Sequence, residues 1–299
     1  MNRRDFVAAS VGAAGIAAIG GSALARQPET RPESAAPRTP LKGRIHHSVC
    51  KWCYSMPLDE LCRNAKEMSI ASVELLDEKE WGTVDKFGLR CAVANGPVSI
   101  GGGINRPESH DKFVADCERL LPLVKKAAIP TMIVFSGNRR GMPDDKGMEN
   151  CAAALRRVTP IAEAEGVTII MELLNSKVDH KDYMCDRTPW GVSLVKAVGS
   201  PRFRLLYDIY HMQIMEGDVI RTIKDNAAHI AHYHTGGVPG RREIDSSQEL
   251  FYPAICRAIA ESGGVGGKDA TFSGFVAQEF IPSRDAMTSL REAVAICDV

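Results

Sequence analysis

Four apolar runs in this 299-residue chain end on groups that bind cations or move protons. Glu172 closes "IIME", Asp208 closes "LLYD", His232 and His234 close "AHYH", and Glu279 closes "VAQE". If each run is a buried strand, three carboxylates and an imidazole face one mouth, where unpaired negative charges repel strongly. A divalent cation held by Glu172, Asp208, His234 and Glu279 resolves the repulsion. Three oxygens and one nitrogen suit Mn2+ or Mg2+ and permit Co2+ or Zn2+.

Carboxylates in such a set can also carry protons. Glu172 and Glu279 would flank a bound substrate, one removing a proton and the other returning it at the adjacent carbon, through an enediolate that the cation stabilises. His211, three residues past Asp208 in a loop, and Arg241 in "GGVPGRREID" are expected to meet substrate oxygens, with His232 beside them. Each residue has a plainer reading alone: Glu172 in a salt bridge, Asp208 capping a turn, His234 bonded in a core, Glu279 paired with Arg284. Their common place at the ends of four consecutive strands favours the site.

The elements that must position these groups alternate along the chain. From residue 44, short β-rich runs ("RIHHSVCKW", "ASVELL", "LRCAVAN", "TMIVFSG", "VTIIMELLN", "FRLLYD", "IAHYH", "GFVAQEF") are separated by helical stretches or connections of helix length, and Gly166 stands as a natural C-cap. Eight such units in about 250 residues predict a (β/α)8 barrel, in which strand C-termini share one mouth. An open doubly wound sheet would carry a phosphate-binding GxGxxG after its first strand, and none is present. The "GGG" at 101–103 is expected to be a flexible loop near the site.

The ends of the chain and its composition narrow the function further. "NRRDFVAAS" carries Arg3, Arg4 and Phe6 ahead of a mild apolar run ending at the Ala-x-Ala site Ala23 to Ala25, so residues 1–25 resemble a twin-arginine export signal. That predicts passage through the twin-arginine machinery to the periplasm, cleavage, and no stable membrane insertion afterwards. Residues 26–43, rich in Pro, Ser, Arg and Glu, read as a flexible linker, leaving residues 44–299 as the barrel domain. Charges balance at 37 basic and 37 acidic, which argues against nucleic acid and for a small-molecule substrate. Nine cysteines form no disulfide framework, and the Cys50–Cys53 CxxC is expected to be ordinary buried residues. Apolar flanking helices allow a homo-oligomer without fixing its size.

The stretches "MELLNSKVDH", "LLYDIYHMQIMEGD", "HYHTGGVPGRREID" and "GFVAQEF" resemble the xylose isomerase-like (β/α)8 family, particularly its hydroxypyruvate isomerase-like members. The resemblance implies one divalent cation on Glu172, Asp208, His234 and Glu279, an acid/base pair of Glu172 and Glu279, and substrate contacts from His211 and Arg241. It also implies interconversion of hydroxypyruvate and tartronate semialdehyde. His234 stands where hydroxypyruvate isomerases often carry glutamine and ketose epimerases carry histidine, and "GGVGGKDATFSG" before the last strand is longer than the family pattern. A ketose 3-epimerase or keto-sugar dehydratase would begin with the same proton abstraction. An exported sugar-binding protein without turnover is a reading from another class. An endonuclease IV-type enzyme would need further histidines on early strands, where Glu74 and Asn95 stand instead.

Overall fold

A computed structural model describes residues 40–264 and 271–299. The expected export signal, most of the expected linker and the centre of the long segment before the last strand lie outside these residues. Eight strands form one sheet: β1 His46–Cys50, β2 Ser72–Glu74, β3 Val93–Ala94, β4 Thr131–Val134, β5 Thr168–Glu172, β6 Phe203–Asp208, β7 Ile230–Thr235 and β8 Phe275–Gln278. Neighbours run β2-β1-β8-β7-β6-β5-β4-β3, all paired strands being parallel. Parallel bridges Ser72↔Arg90 and Leu76↔Ala94 bring the two ends together. The result is a nearly closed (β/α)8 barrel, as the alternation of elements predicts.

Helices α1 Leu58–Glu67, α2 Glu78–Lys86, α3 His110–Lys126, α4 Asp144–Glu165, α5 Thr188–Val198, α6 Ile209–Met215, α7 Val219–Asn226, α8 Tyr252–Glu261 and α9 Ala286–Cys297 connect or follow the strands. Local chemistry sets several ends. Asp77 and Glu80 form a capping box on α2, the Asp285 carboxylate accepts the Thr288 N–H on α9, and Gly166 closes α4 with φ 71°. No helix among the described residues is long and apolar enough to cross a membrane.

Strand parity decides which side chains meet the helices and which meet each other. Val73, Met132, Ile169, Met171, Leu205, Tyr233 and Val276 join the main apolar core of the molecule. Each such buried aliphatic side chain contributes about 1.5–3 kcal/mol relative to exposure. Their strand neighbours Val93, Ile133, Ile170, Leu206 and Phe275 pack in a separate small cluster inside the barrel. Two residues beyond Ile170 and Leu206 on the same face come Glu172 and Asp208. Parity thus aims these carboxylates at the barrel axis, on top of an apolar plug.

Two expectations about the edges change. The linker reading over 26–43 runs slightly too far, because Leu41 packs against the core and the Lys42 N–H and ammonium bond to Asp298. The "GGG" loop is not loose: Ile104 and Asn105 N–H both donate to Ser136 O, and Gly103, at φ 54°, lies so near the Gly137 backbone that a Cβ would come within 2.1 Å of its nitrogen. Only glycine fits there.

Candidate active site

Glu172, Asp208, His234 and Glu279 converge at the C-terminal mouth. One ligand atom from each lies within 4.8 Å of all the others, and all four residues are buried. Three stand on β5, β6 and β7; Glu279 follows the last residue of β8, Gln278. Glu279 therefore lies beyond the ladder and is held by side chains. The Trp52 indole N–H donates to its Oε1 at 2.7 Å, the Arg241 Nη2 meets its Oε2, and the Arg241 Nε donates to its carbonyl at 3.0 Å.

The plainer readings resolve unevenly. Asp208 does cap a turn: its Oδ1 accepts the His211 N–H at 3.2 Å, making it the N-cap of α6, while its Oδ2 accepts from Arg241 at 2.7 Å. His211 consequently sits on a short helix, not in a loop, because the chain turns helical immediately after the strand. Glu279 does not pair with Arg284, whose guanidinium meets Asp245 and Glu292.

His234 carries the evidence that the cluster fits a cation. Its Nε2 lies 2.9 Å from Glu74 Oε1, while Nδ1 lies 2.6 Å from Glu279 Oε2 and 3.4 Å from Glu172 Oε1 without forming a hydrogen bond. A buried, orphaned imidazole nitrogen among carboxylate oxygens has the geometry of a co-ligand. The charges agree. Three carboxylates outnumber the single Arg241 guanidinium in this buried cluster, and a divalent cation would balance them in place of protons on His234 and Glu172.

Burial and neighbours shape the protonation of the cation-free cluster. Burial pushes Glu172 up to about 7, against the pull of His234 and with the push of the Glu279 charge. Burial would also raise Glu279, but Arg241 and His234 outweigh it and bring it down to about 2. For His234 the surrounding charge, Glu279 foremost, outweighs burial and raises it well above the usual histidine value. A cation bound at Nδ1 would replace that proton.

A cavity of about 520 Å3 opens over the cluster. Of the four converging residues only Glu172 and Glu279 line it, so Asp208 and His234 form the floor beneath. Its polar lining also includes Asn95, Asp179, His180, His211 and Arg241. The apolar lining is Trp52, Leu75, Ile100, Ile133, Phe135, Leu174 and Ile281. Arg241 Nη1 donates to His211 Nε2 at 2.8 Å, and the Asn175 side-chain amide lies 2.6 Å from its Nδ1. Burial, opposed by Asp208 and helped by Arg241, holds its pKa well below the ordinary value. Arg241 itself stacks between Tyr210 and Trp52, 4.9 and 5.6 Å from their ring centroids.

His232 is not brought to the cavity wall. It is 1% exposed, and its Nε2 bonds Glu74 Oε1 at 2.8 Å, so the expected substrate contact is not met. It shares the face of His234 but lies two residues, roughly 6.6 Å, deeper. Sequence reasoning also missed Trp52, Asn175, Asp179 and His180. The first stands in the turn after β1; the other three follow β5, and polar residues just past a strand end were the signal that could have found them. Cys50 is a buried free thiol 3.8 Å from His234 Nε2, and Cys53 is also free.

Comparison with known proteins agrees with this architecture. Residues 64–266 match the family of xylose isomerase-like TIM barrels. A 2-oxo-tetronate isomerase of Cupriavidus necator is 32% identical over 145 residues, covering 47% of this chain and 52% of that protein. A human protein provisionally named hydroxypyruvate isomerase is 27% identical over 136 residues, 46% of each chain. The chain thus spans about half the length of the curated relatives it matches. Among solved structures, a family 2 AP endonuclease of Brucella melitensis superposes with a TM-score of 0.72 at 22% identity, over 82% of this chain and 96% of that one. The D-psicose 3-epimerase of Clostridium cellulolyticum superposes with a TM-score of 0.69 at 16% identity, over 85% and 100%. These two similarities speak for the fold alone.

Proposed function

Since the chain belongs to the xylose isomerase-like TIM-barrel family, we propose that it is a divalent-cation-dependent isomerase that moves a proton between adjacent carbons of a hydroxy-carbonyl substrate. The first substrate is hydroxypyruvate, converted to tartronate semialdehyde. The observation that carries the reading is the division of the cluster: four groups converge, and of these only Glu172 and Glu279 also line the cavity.

Glu172, Asp208, His234 and Glu279 would hold the cation, which would supply Lewis-acid polarisation of the substrate when bound. One of the two cavity-lining carboxylates takes a proton from C3 of hydroxypyruvate, leaving an enediolate. The other returns a proton at C2, and the C3 hydroxyl proton passes to O2, so that no atom is gained or lost. Arg241 and His211, which both line the cavity, orient the substrate carboxylate and hydroxyl groups. Asp208 and His234, which do not line the cavity, take no part in proton transfer.

A second reading, ketose 3-epimerisation, has its own support. Even if each of its seven heavy atoms took the roughly 30 Å3 that a water occupies in the liquid, hydroxypyruvate would fill on the order of 210 Å3. The cavity of about 520 Å3 has room for a hexose. Incubating the Mn2+-loaded protein with hydroxypyruvate and a panel of ketoses in deuterated water separates the two. Deuterium on C2 of tartronate semialdehyde supports the first reading, and deuterium on C3 of a ketose supports the second. No exchange from any member removes the isomerase reading and leaves a binding protein. Glu279→Gln should abolish exchange with the fold retained; an unchanged rate takes Glu279 out of the acid/base pair.

A further inference from the structure

Glu74 is a fully buried carboxylate at the end of β2 that the proposed chemistry does not use. One of its oxygens, Oε1, lies 2.8 Å from His232 Nε2, 2.9 Å from His234 Nε2 and 3.9 Å from the Cys50 thiol sulfur. Its other oxygen, Oε2, is buried without a hydrogen-bond partner among the described residues. An acceptor that gathers two imidazole N–H groups on one atom obliges both rings to carry hydrogen on Nε2. For His234 this leaves Nδ1 as the nitrogen aimed at Glu172 and Glu279, and Nδ1 is the atom without a hydrogen-bond partner.

We propose that Glu74 is the positioning residue of the cation site: its Oε1 fixes the tautomer and rotation of His234 so that Nδ1 is presented as a ligand. His232 serves as the brace that holds Glu74 in place. This rests on the reading of Glu172, Asp208, His234 and Glu279 as a cation site. A carboxylate behind a ligating histidine both orients the ring and raises its donor strength. Glu74 reaches His234 from the far side of the barrel, 160 positions away in the chain, so neither local sequence nor strand pairing supplies the same restraint.

Glu74, His232 and His234 also form a three-ligand cluster that could hold a second ion. The geometry favours hydrogen bonds. Both contacts are of N–H···O length, and a second ion there would have to share the His234 ring with the first.

The test uses the full chain, stripped of metal and titrated with Mn2+ or Co2+ alone. Glu74→Gln keeps the shape and removes the charge. Its Mn2+ affinity should fall about 10- to 100-fold, and the visible Co2+ bands should shift, while cation-free melting stays close to the parent. Equal affinity and an unchanged Co2+ spectrum overturn the assignment. Two ions per parent chain and one per variant overturn it also. The unmutated protein gives an independent check should the variant fail to fold. Loaded with Mg2+ or Zn2+, it should show His234 with hydrogen on Nε2 in long-range proton–nitrogen spectra, and hydrogen on Nδ1 instead refutes the proposal. If the parent binds no divalent ion, the functional reading falls first. If the parent binds and the variant matches it, only the role of Glu74 falls.

Discussion

Trp52 and Glu279, 227 positions apart in the chain, meet through one hydrogen bond of 2.7 Å from the indole nitrogen to Oε1. It ties the turn after β1 to the residue just past β8 and so joins the loops that follow two neighbouring strands at the barrel mouth. Half of the Trp52 surface is exposed, and the ring lines the cavity. Trp52→Phe keeps the stack on Arg241 and deletes the donor. A bond to a charged acceptor is worth roughly 1.5–3 kcal/mol, so proton exchange should slow about 10- to 100-fold with little change in thermal stability. Steady-state kinetics of exchange check this, and an unaltered kcat means that the indole does not position Glu279.

Removing the cation should act on both rate and stability. Exhaustive chelation should abolish proton exchange, and added Mn2+ or Mg2+ should restore it. An ion at 100 times its dissociation constant adds about 2.7 kcal/mol, or roughly 5–10 °C in Tm for a barrel of this size. Calorimetry with and without Mn2+ measures the shift. Full activity in the chelated protein would falsify the cation-dependent mechanism.

His47 gives the acid side of the stability profile. It lies on the helix-facing side of β1, 1% exposed, and neither ring nitrogen has a hydrogen-bond partner among the described residues. Burial, opposed by Asp298, lowers its pKa from 6.5 to about 4. The unfolded chain takes up this proton near pH 6.5 and the folded chain refuses it until about 4. Stability from this group is therefore complete above 6.5 and declines as pH falls through that window. The loss is on the order of 3 kcal/mol. His47→Leu should flatten this part of the curve in urea unfolding measured at several pH values. An identical slope in parent and variant assigns the acid sensitivity elsewhere.

Gly103 supports the cavity from outside it. A methyl group there meets Gly137 and Ser136 backbone atoms at 2.1–2.3 Å, with φ at 54°. Gly103→Ala should destabilise the protein by about 2 kcal/mol or more and move Ile100, three residues earlier, on the cavity wall. Urea unfolding gives the first effect and KM the second. A variant as stable as the parent would mean that the loop shifts freely.

Much of the site was legible because period-two alternation and a strand end together locate a side chain. Glu172, Asp208, His234 and Glu279 each follow an apolar run, and parity sends all of them inward. Parity reports a face and is silent on depth, which is why His232 passed for a substrate contact while lying one layer below. Asp208 shows another limit. A strand end and a helix cap can be the same residue, and only the immediate turn of α6 reveals that His211 is helical. Trp52 and Glu74 escaped because their partners, Glu279 and His234, lie 227 and 160 positions away. Barrel closure brings such residues together, and no local pattern announces it.

The two oxygens of Asp208 divide their duties, Oδ1 accepting the His211 N–H at the start of α6 and Oδ2 facing Arg241 in the cluster. One rigid carboxylate therefore couples the charge in the mouth to the first turn of a seven-residue helix. Hydrogen–deuterium exchange at the His211 amide becomes a reporter of what the mouth contains. Filling the mouth should slow that exchange and emptying it should let the turn open, so that occupancy would be followed on the backbone without any substrate present; an exchange rate indifferent to added Mn2+ would break the link.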